Sequence, residues 1–561
     1  MSTPFNAATY LIDRQIARGL ADRPALVGPR STLTYAELAD QVAKASAGWR
    51  AVGVRPEERV IIHAADRPET VVALLSLMRI GAVPVPVSTM NTPGELAALI
   101  ADSRCRFLLL GPEFCDRAAA ALHGAPADWD LLAVIVLDDA PVQPPDPIPR
   151  LRWEHLTAAG AAASYGDTAP YRATEDSPAL WLYTSGTTGT PKAAMHRHGS
   201  IRFVAEHYGG QVLALHERDR CFSVAKLFFA YGLGNSCLLP LAAGAAAVLD
   251  PAPPTPESIA RRLAEDAPTV FFGVPTAYAA LLRNTAVPDS AFHGVRLAVS
   301  AGEPLPPELR HRFRARFGID LVNGMGSTEA LHIFLSDRPG RQRPDTLGTP
   351  VPGYELSIQA EDGTEAPPGE PGELKLRAPS AATGYWCRTN ATHTVFQGAW
   401  LNTGDLFTRD PDGFYICHGR AGDMIKSGGI WVSPPEVENR LLQHPAVAAA
   451  CVVAAPDADG LDRPVACVLP ASAEPLDADA LIAFCREALA AYKCPRHVLV
   501  FASLPATGTG KVSRRQVREE ALDRLTAQGH GPRVPDQTAP PQTSARAVPA
   551  PTRSGSPTKG A

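Results

Sequence analysis

The chain has 561 residues, 45% of them hydrophobic, with 53 Lys and Arg against 58 Asp and Glu for a net charge of −5. That length could supply roughly three or four ordinary domains, and the apolar content is enough for large buried cores, which excludes a wholly disordered protein. The slightly acidic balance offers no global basic field, so neither nucleic acid nor an anionic membrane is expected as a partner. Residues 1–6 show no cationic region ahead of an apolar core, and no secretory signal is expected. Residues 237–249 are almost continuously apolar, but they contain Pro240 and Gly244 and are too few to cross a bilayer. Ten cysteines are scattered singly, without a CxxC pair or a Cys/His cluster. This predicts reduced thiols and a cytoplasmic location, not a disulfide framework or a structural zinc site.

The first two-thirds of the chain alternates strand and helix patterns. Residues 59–64 read as a buried strand and 69–79 as a helix; 82–87 is extended, because proline at alternate positions forbids a helix. Thr255 is a predicted N-cap, with Pro256 in the first turn of a helix covering 258–265. Strand 269–274, strand 296–300, helix 307–317 and strand 319–322 follow. Such alternation predicts an α/β fold, a mostly parallel sheet with helices on both faces. From 353 to 419, short apolar runs lie between Gly, Pro and Asp turns, the pattern of a small antiparallel barrel or sandwich. After 419 a mixed pattern returns, with a helix opening at Ser433, a strand at 447–453 and a helix at 478–489. The expected organisation is a large N-terminal domain, 1–419, whose 353–419 portion is β-rich, a hinge at 420–423, and a smaller α+β domain at 424–525. Residues 529–561 contain no Leu, Ile or Phe and are expected to be disordered.

Residues 179–192 read ALWLYTSGTTGTPK, an apolar strand running into a loop rich in hydroxyls and glycine. Gly186 and Gly189 let backbone N–H groups approach an anion; Thr184, Ser185, Thr187 and Thr188 add hydroxyls, and Lys192 adds charge. That chemistry suits a polyphosphate. It is not a Walker loop, since Pro191 precedes Lys192 and Ala193 follows it. A loop of this composition can equally be a flexible connector, and the rest of the chain decides between the readings. The segment resembles the signature loop of adenylate-forming enzymes, the superfamily of acyl-CoA synthetases, adenylation domains and luciferases. Further stretches follow in that family's order: Ala301-Gly-Glu-Pro304, Asn323-Gly-Met-Gly-Ser-Thr-Glu329, Thr403-Gly-Asp-Leu406, Gly419-Arg420 and Pro505-Ala-Thr-Gly-Thr-Gly-Lys511. The resemblance runs from about residue 5 to 515. Within the superfamily, residues 5–14, 226–235 and 326–334 are similar to benzoate-CoA ligases and related aryl-CoA ligases.

The resemblance implies two half-reactions. A carboxylate attacks the α-phosphate of ATP to give an acyl-adenylate and pyrophosphate, and the thiol of coenzyme A then displaces AMP. Two anions meet in the first step, so positive charge is needed, and Lys511 is the implied source. Glu329, with Thr184, is the implied ligand set for Mg²⁺, a hard cation that prefers oxygen. Gly302, Glu303 and Pro304, with Asn323, Gly324 and Met325, match the adenine-binding strands. Gly326, Ser327 and Thr328 continue the nucleotide site, Asp405 takes the ribose hydroxyls through its two oxygens, and Arg420 holds ribose or phosphate. Phe229, Ala230, Tyr231, Gly326, His332 and Ile333 are placed around the acyl group. There, small Ala230 and Gly326 leave a flat slot beside an aromatic ring. No Asp or Glu lies in 226–235, which argues against amino-acid activation. Benzoate and amino- or hydroxybenzoates remain open. Ser427, Gly428 and Gly429 are implied to line the pantetheine channel. Gly422 stands at the hinge, where relatives usually carry Asp or Lys. The acceptor is coenzyme A or a separate carrier protein, the assembly a monomer or homodimer, and a non-catalytic ligand-binding relative is the remaining class.

Overall fold

The strand at Arg59–His63 sends alternate side chains to opposite faces: Val60 and Ile62 join one apolar cluster, Ile61 another. It sits in a five-stranded parallel sheet beside the proline-bearing strand Val83–Pro86 on one side and Phe107–Leu110 on the other. The same division holds in a nine-stranded sheet, where Val270 and Phe272 face the first cluster and Phe271 faces a third. Its central strands, Arg220–Ser223, Val270–Gly273, Leu297–Ser300 and Leu321–Gly326, are parallel, so both faces need a cover of helices. The helix Pro68–Arg79 is buried almost all round, as expected for one in a central layer. This computed structural model describes residues 3–123, 129–138, 142–145, 147–162, 168–185, 191–427, 430–457, 461–472, 474–506 and 512–528. The tail at 529–561 lies outside these.

Helix starts follow local chemistry. Thr255 accepts from the Ser258 amide and opens Pro256–Asp266. Ser433 precedes Pro434–Leu442, but its hydroxyl donates to the His418 carbonyl instead of capping the helix. The strand expected from residue 319 begins at Leu321, because Asp320 bonds the Arg310 guanidinium and the Leu321 amide. Within 353–419, five strands pair antiparallel, with Trp400–Arg409 flanked by Gly372–Arg377 and Tyr415–Arg420. Farther along, Val447–Pro456, Asp462–Pro470 and His497–Val500 form a three-stranded sheet with an apolar cluster on each face. All ten cysteines are free thiols. Among the described residues no helix is long and apolar enough to cross a membrane.

Residues 224–231 lie between the five-stranded parallel sheet and the nine-stranded mixed sheet. Asp66, buried just after Arg59–His63, accepts the Leu227 amide on both carboxylate oxygens, at 3.1 and 3.3 Å. Lys226 ties the segment to the Asp250 and Ala252 carbonyls at 2.6 and 2.7 Å. Gly232 closes it: a Cβ there would stand 2.0 Å from the Lys226 carbonyl oxygen and 2.5 Å from that of Ala225. Gly232→Ala is therefore expected to destabilise the protein by about 1–3 kcal/mol in urea unfolding. Gly294→Ala, where a Cβ meets nothing within 4 Å, is expected to be neutral.

Candidate active site

The strand Leu321–Gly326 ends at the mouth of a cleft of about 2090 Å³. Gly302, Glu303, Pro304, Asn323, Gly324, Met325, Gly326, Asp405 and Arg420 line it, drawn from four separate sequence motifs. Glu436, Asn439, Tyr492 and Lys493 line it as well. Gly302–Pro304 were expected on a strand but form the turn after Leu297–Ser300, with Gly302 at φ +91°, a value that favours glycine. The Glu303 carboxylate accepts from the Thr276 amide at 3.2 Å and hydroxyl at 3.3 Å, capping the helix Pro275–Arg283.

Asp405 and Arg420 are cross-strand partners, and their side chains meet at 3.0 Å from Nε to Oδ1. Arg420 also donates to the Thr403 carbonyl at 2.6 Å. Asp405 is only 5% exposed. Burial raises its pKa to about 6, outweighing the opposing pull of Arg420. Glu329 adds to the upward push, which places its charge close by.

Glu329 is half-buried, and its Oε1 accepts from the Tyr385 phenol at 2.6 Å. Burial and that carboxylate both raise the Tyr385 pKa, so the phenol stays protonated and remains a donor. Tyr385 pairs with Ala194 on the strand that starts at Pro191, and the Lys192 ammonium stands 5.7 Å from its ring centroid. Thr184 faces Lys192 across the hairpin. Ser327 accepts from the Ala330 amide at 3.2 Å, and the Thr328 carbonyl meets His196 Nε2 at 2.8 Å. Tyr385 is the residue that motif reading missed; its only signal is the aromatic pair Tyr385-Trp386 after a glycine at φ +146°. Gly186, Thr187, Thr188, Gly189 and Lys511 lie outside the described residues, as does the side chain of Ser185.

Phe229, Ala230 and Tyr231 are half-buried and open a short helix, while His332 and Ile333 are buried. The Tyr231 and His332 rings stand 5.7 Å apart, and the Tyr231 hydroxyl reaches the Gly273 and Val299 carbonyls at 3.3 and 3.4 Å. Burial lowers the His332 pKa to about 4, so its ring is neutral. Gly326 does not leave the expected slot. A Cβ there would stand 2.5 Å from the His332 carbonyl oxygen, so glycine serves the close approach of the next strand.

Ser427 is buried, with the Arg463 guanidinium 3.5 Å from its hydroxyl. Gly428 and Gly429 lie outside the described residues. Gly422 sits in a single 3₁₀ turn, Ala421–Asp423, where a Cβ would meet nothing within 4 Å.

Residues 12–386 match the AMP-binding enzyme family, and residues 436–511 match the AMP-binding enzyme C-terminal domain. The chain belongs to the AMP-binding enzyme family. It is 38% identical over 540 residues to a 4-hydroxybenzoate–CoA/benzoate–CoA ligase of Rhodopseudomonas palustris, covering 95% of this chain and 97% of that one. To a benzoate–CoA ligase of Thauera aromatica it is 37% identical, covering 92% and 96%. Among solved structures, it resembles an anthranilate CoA ligase in complex with anthranoyl-AMP, with TM-score 0.86 at 32% identity, covering 94% of this chain and 99% of that one. A benzoate CoA ligase from Burkholderia xenovorans LB400 gives TM-score 0.82 at 38% identity, covering 92% and 100%.

With burial and Arg420 opposed at Asp405, Arg420→Ala is expected to raise the Asp405 pKa above 6. The carboxyl carbon shift, followed by NMR titration of the nucleotide-free protein, measures it.

Proposed function

We propose that this protein activates a benzoate-type acid with ATP, forming an aryl-adenylate and pyrophosphate, and passes the aryl group to the thiol of coenzyme A with release of AMP. It is an AMP-forming acid–thiol ligase, as its family and its near-full-length relatives are. The observation that carries the reading is a single strand pair. Leu321–Gly326 lines the charged cleft, and its antiparallel partner leads in from His332 and Ile333 beside the Tyr231 ring. A nucleotide in the cleft and a flat acid behind it would meet at Gly326.

Roles follow from chemistry at each position. Asp405 offers the cleft a carboxylate for ribose hydroxyls once it is ionised, and Arg420 fixes that carboxylate in place. Thr184, Lys192 and the loop 185–189 would cradle phosphates. Among the described residues no three His, Cys, Asp or Glu gather to hold a metal by themselves. Glu329 fits Mg²⁺ as a hard oxygen donor oriented by the Tyr385 phenol, with Thr184 beside the phosphates and phosphate oxygens completing the set. Bound there, the ion would offset phosphate charge. Lys511 is assigned to the meeting point of carboxylate and α-phosphate, where an ammonium offsets the charge of two anions. Gly422, in the hinge 420–423, lets the 424–525 domain turn between the two half-reactions, and Ser427, Gly428 and Gly429 admit the pantetheine arm.

Lys511→Ala is expected to slow adenylate formation by about 10²–10³-fold. Thioester formation from supplied aryl-adenylate should fall much less; equal loss in the two assays would contradict the assignment. Gly428→Trp should show the reverse pattern, retaining pyrophosphate release while blocking CoA transfer. Adenosine affinity, measured by calorimetry so that no phosphate titrates in the same range, should fall as pH drops below about 6, where Asp405 gains its proton, and Asp405→Asn should bind weakly with no such dependence.

A further inference from the structure

Asn235 is 0% exposed, and neither atom of its amide has a hydrogen-bond partner. Two more side chains nearby share that condition: His332, 2% exposed, at both ring nitrogens, and Tyr208, 0% exposed, at its hydroxyl. Buried polar groups are nearly always paired, and each left unpaired carries a desolvation cost that nothing offsets. Here two gather round a third, the His332 imidazole. The Tyr208 ring centroid is 5.3 Å from that of His332 and the Tyr231 centroid 5.7 Å. Gly234 lies so close that a Cβ on it would fall 2.2 Å from the His332 ring, and Asn235 is the next residue, four beyond Tyr231. Asn235 lies beside the Tyr231 phenol, Tyr208 beside Ser336 and the His332 ring beside the Tyr231 carbonyl, yet none closes a bond of proper geometry.

The backbone marks the same place. Tyr208 sits in the π-helical segment Ala205–Val212 and Asn235 in the π-helical segment Gly234–Leu238. Such segments are rare and recur where a helix is reshaped to aim a side chain at a functional site. All the side chains gathered here are neutral, the imidazole included, because burial holds it to about 4. An amide, an imidazole and a phenol can each both donate and accept. An ammonium or a second carboxylate would enter without a counter-charge, whereas a hydroxyl or an aromatic amine would find partners.

We propose that Asn235 and Tyr208, with His332, bind a neutral hydrogen-bonding substituent on the ring, so that the preferred acid is a hydroxy- or aminobenzoate and not benzoate itself. This rests on the aryl-acid reading above and deepens it. A buried water serving the same atoms would give no such preference, and the experiment separates the two. The kcat/KM of the full chain with ATP, Mg²⁺ and CoA is measured for benzoate, the three hydroxybenzoates and the three aminobenzoates, in wild type, Asn235→Leu and Tyr208→Phe. At least one substituted acid is expected to exceed benzoate by about tenfold or more, since a site built to bond a substituent disfavours the analogue lacking it. The variants should reduce that ratio by about tenfold, mainly through KM of the substituted acid. Benzoate equal to or better than every substituted acid, or variants that scale all acids alike, would overturn the proposal. Should Asn235→Leu fail to fold, Tyr208→Phe, which removes a single oxygen, decides the ratio alone. Silence with all seven acids while AMP still binds would instead sink the aryl-acid reading, and this inference with it.

Discussion

The close approach of two strands at Gly326 is the constraint on which the site depends. Its Cα faces the His332 carbonyl so directly that any side chain would collide with backbone, and Gly324 is similarly confined by the Ile333 side chain. Two glycines in six residues weaken a strand; its parallel neighbour Leu297–Ser300 pairs with it only as far as Asn323, and both glycines lie where the antiparallel strand Ile333–Ser336 is the partner. Residues 323–326 of this strand line the cleft, and its antiparallel partner is entered from His332, whose ring stands beside those of Tyr208 and Tyr231.

Charge differs between these two surroundings. Asp405 and Arg420 line the cleft as an ion pair, and Glu329 is held by the Tyr385 phenol. Around His332 are Asn235, Tyr208 and Tyr231, all uncharged. Supporting carboxylates are buried farther out: Asp337 accepts the Asn323 amide and the Arg310 guanidinium, both at 3.2 Å, and Asp66 holds the Leu227 amide. Each burial raises its acid to about 6, the signature of desolvation outweighing a nearby cation. The two act through backbone amides, one fixing the strand Leu321–Gly326 and the other the segment 224–231. Removing either would disturb geometry and leave the reacting groups in place.

Elements whose causes are local were legible in the amino-acid order. Pro84 and Pro86 forbid a helix, Thr255 and Pro256 start one, and the alternation through Val60, Ile61 and Ile62 marks a strand covered on both faces. The strand expected from residue 319 starts two residues late because the Asp320 carboxylate is drawn to Arg310, a partner ten residues back. Ordered motifs marked the cleft residues in the same way, since each motif is a continuous stretch. Pairings made by tertiary contact were not legible. Tyr385 meets Glu329 across 56 residues, and Tyr208 meets His332 across more than a hundred, with nothing in either neighbourhood to announce the other. Gly326 was read as a small residue making room, when its smallness serves a neighbouring backbone.

That last difference changes how the acid site must be built. If glycine at 326 opened no space, the ring's room has to come from the other wall, where Ala230 is the only small side chain in the half-buried run Phe229–Tyr231. The run is anchored at both ends, by Asp66 on Leu227 and by the contact of Gly232 with the Lys226 carbonyl, so it can shift little to accommodate a larger acid. The opposite wall is backbone and cannot change by substitution without moving a strand of the main sheet. On the aryl-acid reading, selectivity is left to His332, Asn235 and Tyr208, which are neutral, buried and without a bond of proper geometry. A fixed width with an adjustable polar end favours discrimination by ring substituent over discrimination by chain length.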